Sequence, residues 1–350
     1  MIRRSQINIG YANKNKIETL DRIFEESSSV INQYIDKLWE MKDFKSKFVK
    51  ERVDTWLSAR MQQCLGKQAL EIVKSQRKKR KKVKPFFNKN VINLDSRFMD
   101  IRFEGKKYDV WVKLASIGDN ISLKLPSKKH KHFMKFYNDS SWQMKKSCRL
   151  RKDSGQYFID LYFEKAAPEI KSEGEEIGLD CGYKKLLVDS NGVLYDNGLE
   201  VTYEKISRKK QKSKAFYRAL KERDNKINES VKSIDLNNLK TVVVEDLKNV
   251  KKDTRKKKRI SKKFNNKLQR WSYSKVLEKL SLLCEECGIQ FIKVNPAYTS
   301  QTCSSCGFKH KKNRSRERFR CLNCGFLTDA DYNAAVNILH RGVYSPLTAQ

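Results

Sequence analysis

Residues 303–335 read CSSCGFKHKKNRSRERFRCLNCGFLTDADYNAA. Two Cys-x-x-Cys pairs, Cys303/Cys306 and Cys321/Cys324, flank the basic loop 307–320. Each pair can form a tight knuckle and the loop lets the knuckles meet, so four thiolates can close a tetrahedral zinc shell. Such a shell leaves no open coordination position, which makes the metal structural rather than catalytic. Directly after the second knuckle, Asp329-Ala-Asp331-Tyr-Asn-Ala-Ala opens an apolar helix. Asp331 can be a helix cap or a carboxylate delivered to a site, and Asp329 is a second candidate for the cap.

Two segments upstream also end on a carboxylate. Glu176-Ile-Gly-Leu-Asp180-Cys-Gly-Tyr reads as a strand closing on Asp180, and Thr241-Val-Val-Val-Glu245-Asp-Leu as one closing on Glu245. The unbroken apolar run before Glu245 predicts a central strand buried on both faces. Asp246 would point to its other side, in a structural or capping role. Singly, each acid reads as a turn former or cap. Composition changes that balance. The chain has 350 residues, with 76 Lys plus Arg against 41 Asp plus Glu and a formal charge of +35. Such an excess implies a polyanion partner, of which nucleic acid is the most economical. Three carboxylates gathered by one sheet can hold two divalent ions about 4 Å apart, the arrangement that hydrolyses phosphodiesters. Magnesium suits such oxygen ligands and retains waters, so few protein ligands suffice.

The remainder of the chain changes texture three times. Ile2–Ile9 predicts one strand. Ile17, Leu20, Phe24, Ile31, Ile35 and Leu38 then recur at helical spacing, and a second helix is expected from Val49 to Val73. The polar face of that helix carries Arg60, Gln63, Lys67, Gln68 and Lys74, residue types that contact phosphates and base edges or simply face solvent. Arg77, Lys78, Lys79 and Arg80 begin a basic run ending at Lys84, read as a phosphate-contacting linker. From Val91 to Phe163 the period falls to two, predicting a small antiparallel sheet or barrel. Lys128–Lys135 is a basic connection within it, and His130 and His132 are ordinary surface histidines. Residues 166–176 form a polar domain linker. After Asp180, Asn191-Gly192 marks a hairpin turn. Lys205–Lys232 is a long basic helical region, Lys251–Lys263 another basic run, and Lys267–Cys287 a helix ending at Gly288. Cys284 and Cys287 lie one turn apart on that helix and pack in a core. The N-terminus lacks a signal-like apolar run and no segment reaches transmembrane length, which predicts a cytoplasmic protein.

Ile177–Tyr183, Val242–Leu247, Tyr298–Gly307 and Asp329–Ile338 together resemble the split RuvC motifs of the TnpB family, the transposon-encoded proteins related to compact type V CRISPR effectors. Arg270-Trp271 and Gln301-Thr-Cys also match that family's wording. The resemblance covers about Ile177–Leu339; the N-terminal half matches by order alone. It implies an RNase H-like RuvC domain (173–297 and 328–350) with a zinc-ribbon insertion (298–327). A β-barrel wedge domain (1–13 and 85–172) with an inserted helical recognition domain (14–84) would precede it. It further implies RNA-guided cleavage of double-stranded DNA beside a short adjacent motif, with a guide RNA from a transposon end or CRISPR array. Asp180, Glu245 and Asp331 would hold two magnesium ions, with manganese as a substitute, and Cys303, Cys306, Cys321 and Cys324 one zinc. Arg60, Gln63, Lys67, Arg77, Lys78, Lys79, Arg80, Arg270, Trp271, Arg314 and Arg318 are the expected nucleic-acid contacts, with Lys311, Lys312, Arg316 and Arg320 as further basic residues of the ribbon loop. A catalytically quiet DNA-binding repressor and an RNA-independent recombinase are the competing functions; all three acids are present, which argues against the first.

Overall fold

The computed structural model describes residues 1–42, 51–80, 82–105, 107–248, 261, 266 and 268–344. Of the basic run Lys251–Lys263, only Ser261 is among them; Val49 and Lys267 also lie outside the described residues. The chain divides into two compact units, Met1–Ala166 and Ala167–Gln350, and the division falls at the start of the polar linker.

In the first unit, β1 (Ile2–Asn8) is followed by α1 (Lys14–Glu40) and α2 (Ala59–Arg77). Strands β2 (Val91–Leu94), β3 (Met99–Arg102), β4 (Val110–Ala115) and β5 (Ser122–Ser127) come next, then α3 (Lys131–Tyr137), β6 (Gln143–Asp153) and β7 (Gln156–Glu164). Two antiparallel sheets result, in the orders β1-β7-β6-β2 and β3-β4-β5. The periodic apolar residues of α1, from Leu20 to Leu38, are buried as their spacing requires. The second helix starts later than its apolar pattern suggests. Ser58 caps it by accepting the Met61 N–H at 3.2 Å, and Leu57 instead bridges to Gly118. Val53 and Leu57 are buried without being helical. The basic connection at 128–135 also contains an unforeseen helix. His130 precedes α3 and turns Nδ1 toward Phe133 N–H, while Phe133 and Phe136 bury beneath it. Its charged residues hide a two-residue apolar anchor too short to register as periodicity.

The second unit begins with β8 (Glu175–Asp180), β9 (Leu187–Asp189) and β10 (Leu194–Tyr195). Helices α4 (Leu199–Ser207) and α5 (Lys214–Lys232) follow, splitting the expected basic helical region in two, then β11 (Leu239–Glu245), α6 (Tyr273–Cys287) and β12 (Gln290–Val294). A small sheet of β13 (Arg314–Ser315), β14 (Arg318–Arg320) and β15 (Leu327–Asp329) leads into α7 (Ala330–Val343). The main sheet has the order β10-β9-β8-β11-β12. Its strands β8, β11 and β12 are parallel, while β9 pairs antiparallel with both β8 and β10. Thr241–Val244 are all buried, as a strand covered on both faces must be. Helix α7 lies directly on this sheet. A Cβ at Gly178 would stand 2.2 Å from the Ala335 carbonyl oxygen, so only glycine permits that approach. Gly288, at φ 66°, ends α6 in the left-handed conformation its sequence predicts. Cys284 is buried on that helix, consistent with packing.

Candidate active site and zinc ribbon

Parallel register places two of the three acids side by side. Leu179 of β8 pairs with Val244 of β11, so Asp180 and Glu245 follow at neighbouring carboxyl ends of the sheet. Such ends, outside parallel strands, are where α/β sheets receive ligands. Asp331 reaches the same place from the first turn of α7. Asp329 is the cap: its Oδ1 accepts the N–H groups of Asp331 and Tyr332 at 2.9 and 3.1 Å, which frees the Asp331 side chain. Asp180, Glu245 and Asp331 line one cleft of about 1140 Å³, together with Lys185, Trp271, Thr299 and Arg314.

Burial sets the electrostatics of the cluster. Burial, then the charges of Glu245 and Asp331, push Asp180 up to about 8. Burial also raises Glu245, opposed by a hydrogen bond from the Thr299 hydroxyl. Burial pushes Asp329 up too, but the Lys185 ammonium and the helix N–H groups outweigh it and hold this carboxyl below its ordinary range. Asp331 receives Arg314 Nη2 on Oδ1 at 2.8 Å and Lys185 Nζ near Oδ2 at 3.6 Å. Asp246 is exposed and accepts Lys248 N–H, away from the cleft.

The four cysteines converge. Among the described residues, their sulfurs are the one group of three or more potential His, Cys, Asp or Glu ligands lying within 4.8 Å of one another. Cys303 and Cys324 Sγ are 3.8 Å apart, and Cys306 and Cys321 Sγ are 3.5 Å apart. Sulfurs about 2.3 Å from a tetrahedral zinc would be about 3.8 Å apart, so the donor set fits. Each knuckle closes on its own backbone. Gly307 N–H donates to Cys303 O at 2.9 Å and Gly325 N–H to Cys321 O at 3.1 Å, both glycines being left-handed at φ 73° and 77°. The Phe308 N–H draws Cys306 down to about 6, which favours the thiolate a metal needs. Among the described residues, the three carboxylates do not form such a group within 4.8 Å.

Several side chains position the site in ways the sequence reading did not assign. Asn333 Nδ2 donates to Thr302 O at 2.8 Å, and its Oδ1 accepts Ser304 N–H at 3.0 Å. Asn337 Nδ2 donates to Thr299 O and Thr302 O at 2.9 and 2.7 Å. These two amides fasten the turn that enters the ribbon to α7, next to the Thr299 hydroxyl that reaches Glu245. Trp271 Nε1 donates to Gly182 O at 2.9 Å, bracing the turn after Asp180. Spacing on one face of α7 could have singled out Asn333 and Asn337; the other pairings are long-range and leave no local pattern.

The expected nucleic-acid contacts are dispersed. Arg60 is committed to Asp95 through Nε and Nη2 at 3.1 and 2.6 Å, while Gln63 and Lys67 line a separate cleft of about 950 Å³ in the first unit. Gln68 is spent on the backbone of Val91 and Asn93. Arg77 donates to the carbonyls of Leu38, Trp39 and Met41, closing the end of α1. Lys78, Lys79 and Arg80 are exposed just beyond α2. Arg270 sits beside Tyr183. Arg318 is exposed and lines the acid cleft with Arg314 and Trp271.

Residues 273–338, from α6 to α7, match the family described as Cas12f1-like, TNB domain. The chain is 37% identical over 99 residues to a TnpB-like protein of Aquifex aeolicus, covering 27% of this chain and 31% of that one. Over this stretch the chain is similar to TnpB-like proteins. It is also 41% identical over 99 residues to the CRISPR-associated endodeoxyribonuclease Cas12f1 of Sulfoacidibacillus thermotolerans, covering 28% and 21% of the two chains. A longer match, 26% identical over 227 residues and covering 56% of each chain, joins it to the putative RNA-guided DNA endonuclease InsQ of Escherichia coli. The chain thus matches between about a fifth and just over half of the length of these curated TnpB-related proteins. A solved Cas12f1–sgRNA–target DNA complex shares the fold, with a TM-score of 0.58 at 16% identity, over 93% of this chain and 83% of that one.

Proposed function

We propose that this chain is a TnpB-family RNA-guided DNA endonuclease that cuts at a single RuvC-type site. The observation that carries the reading is the meeting of Asp180, Glu245 and Asp331 in one cleft, from two strand ends and a helix start. Their carboxylates would hold two magnesium ions, which supply the activation of water and the stabilisation of the leaving oxygen. An all-oxygen donor set suits magnesium, and the part of the upward push on Asp180 that comes, after burial, from Glu245 and Asp331 is one that cations would relieve. Thr299 holds Glu245 through its hydroxyl, and Asp329 turns the start of α7 so that Asp331 faces the cleft. The four cysteines would hold one structural zinc.

The same reading divides the chain into a wedge-like β-barrel domain (1–13 and 85–172), a helical recognition domain (14–84), an RNase H-like RuvC domain (173–297 and 328–350) and a zinc-ribbon insertion (298–327). The sheet order in the second unit, with β9 alone running against the other four strands, supports the RNase H-like part. The charge of +35 supports binding of a guide RNA and of the guide–target heteroduplex through their phosphates. Arg318, Lys67 and Gln63, which line the two clefts, are contacts this reading favours. Purifying the protein from its own locus, sequencing the bound RNA and presenting a matching DNA tests the reading. Asp180→Ala should abolish magnesium-dependent cutting while RNA binding persists; cutting that survives in this variant would remove Asp180 from the site.

A further inference from the structure

The acid cleft carries cations of its own, and their placement has a direction. Asp331 is 15% exposed and has a positive side chain on each oxygen: Arg314 Nη2 at 2.8 Å on Oδ1 and Lys185 Nζ at 3.6 Å from Oδ2. The two come from opposite walls. Lys185 belongs to the turn after β8, and Arg314 to the hairpin of β13 and β14 in the ribbon. Lys185 also holds Asp329 at 2.7 Å, so it keeps a partner if its contact with Asp331 is lost. Arg314 has no such second anchor. Among the described residues, its remaining hydrogen bond is from Nε to Arg316 O, inside its own hairpin. The hairpin tip is tied across the cleft at its edge, where Lys184 pairs with Glu317 at 3.0 Å, both largely exposed.

A divalent ion on Asp331 would stand beside both cations, in a cleft where repulsion is less screened than in bulk water. Occupancy by metal and retention of Arg314 are therefore antagonistic. We propose that Lys185 and Arg314 are resident counter-cations of Asp331, that a divalent ion displaces them, and that Arg314 is thereby released to a phosphate of the bound strand. Before metal arrives, the guanidinium neutralises the acid cluster; afterwards the same group faces the polyanion. Metal binding thus loosens the ribbon hairpin, while Lys185 stays on Asp329. The inference rests on the metal-site reading above, and its test separates the two.

Manganese, followed by the loss of its free-ion paramagnetic resonance signal, is titrated into the full chain without RNA. Arg314→Gln and Lys185→Gln should each tighten manganese binding by about tenfold or more, because a competing cation is gone. Arg314→Lys should remain near the parent. Hydrogen exchange of the amides at 314–318 should quicken on adding manganese to the parent and stay unchanged in Asp331→Asn. Unaltered or weaker manganese binding by folded Arg314→Gln and Lys185→Gln would overturn the displacement. Undiminished binding by Asp331→Asn would instead overturn the metal-site reading.

Discussion

Asp180 shows how one side chain can be both a strand terminus and the most strongly perturbed acid of its cleft. Its carboxyl is pushed up to about 8 by burial, then by Glu245 and Asp331. Between the ordinary carboxylate range and about 8, the folded protein therefore holds a proton that the unfolded chain has released. Stability from this group is full in acid and falls as pH rises through that window. In protein free of divalent ions, Asp180→Asn should melt above the parent at pH 9 and level with it near pH 4. Thermal melts at the two pH values decide this; a variant that melts lower at pH 9 would contradict the assigned cause. Magnesium should raise the parent's melting temperature at pH 9 and have less effect on the variant, since binding to the folded state alone stabilises it.

At the scale of elements, the approach of α7 to β8 decides whether Asp331 arrives at all. Gly178 makes that contact. A methyl there would meet the Ala335 carbonyl oxygen at 2.2 Å and the Leu339 nitrogen at 2.6 Å, both backbone atoms with little freedom to yield. Gly178→Ala should cost about 3 kcal/mol or more in urea unfolding, the upper end of overpacking effects, and should reduce cleavage by shifting the helix start. A change below about 0.5 kcal/mol would mean that the helix yields freely. The elements that gather the three acids and the four cysteines were the legible ones. Cysteine knuckles, apolar runs ending in Asp180 and Glu245, and the helix after Asp331 all speak through local spacing. What was not legible was set by distant partners. Ser58 starts a helix whose apolar pattern begins upstream, at Val49. Arg60 and Arg77, plausible phosphate contacts by residue type, are taken up by Asp95 and by the end of α1. Arg314 found an acid in its own chain. A charged side chain advertises its charge in the sequence, but not its partner.

For the molecule as a whole, the charge of +35 is spread over both units, and no described helix is long and apolar enough to cross a membrane. Nucleic-acid binding through many phosphates should therefore be steeply salt-dependent. The logarithm of the association constant should fall with the logarithm of salt at a slope of about −0.7 for each single-strand phosphate neutralised. A slope near zero for RNA binding would argue against a backbone-dominated interface. The ribbon adds a chemical constraint of a different kind. Its sulfurs alternate, with Cys303 and Cys321 buried and Cys306 and Cys324 exposed. Electrophiles and oxidants should thus reach the exposed pair first. Cys306, whose thiol the Phe308 amide draws down, is expected to alkylate before the buried Cys303 and Cys321.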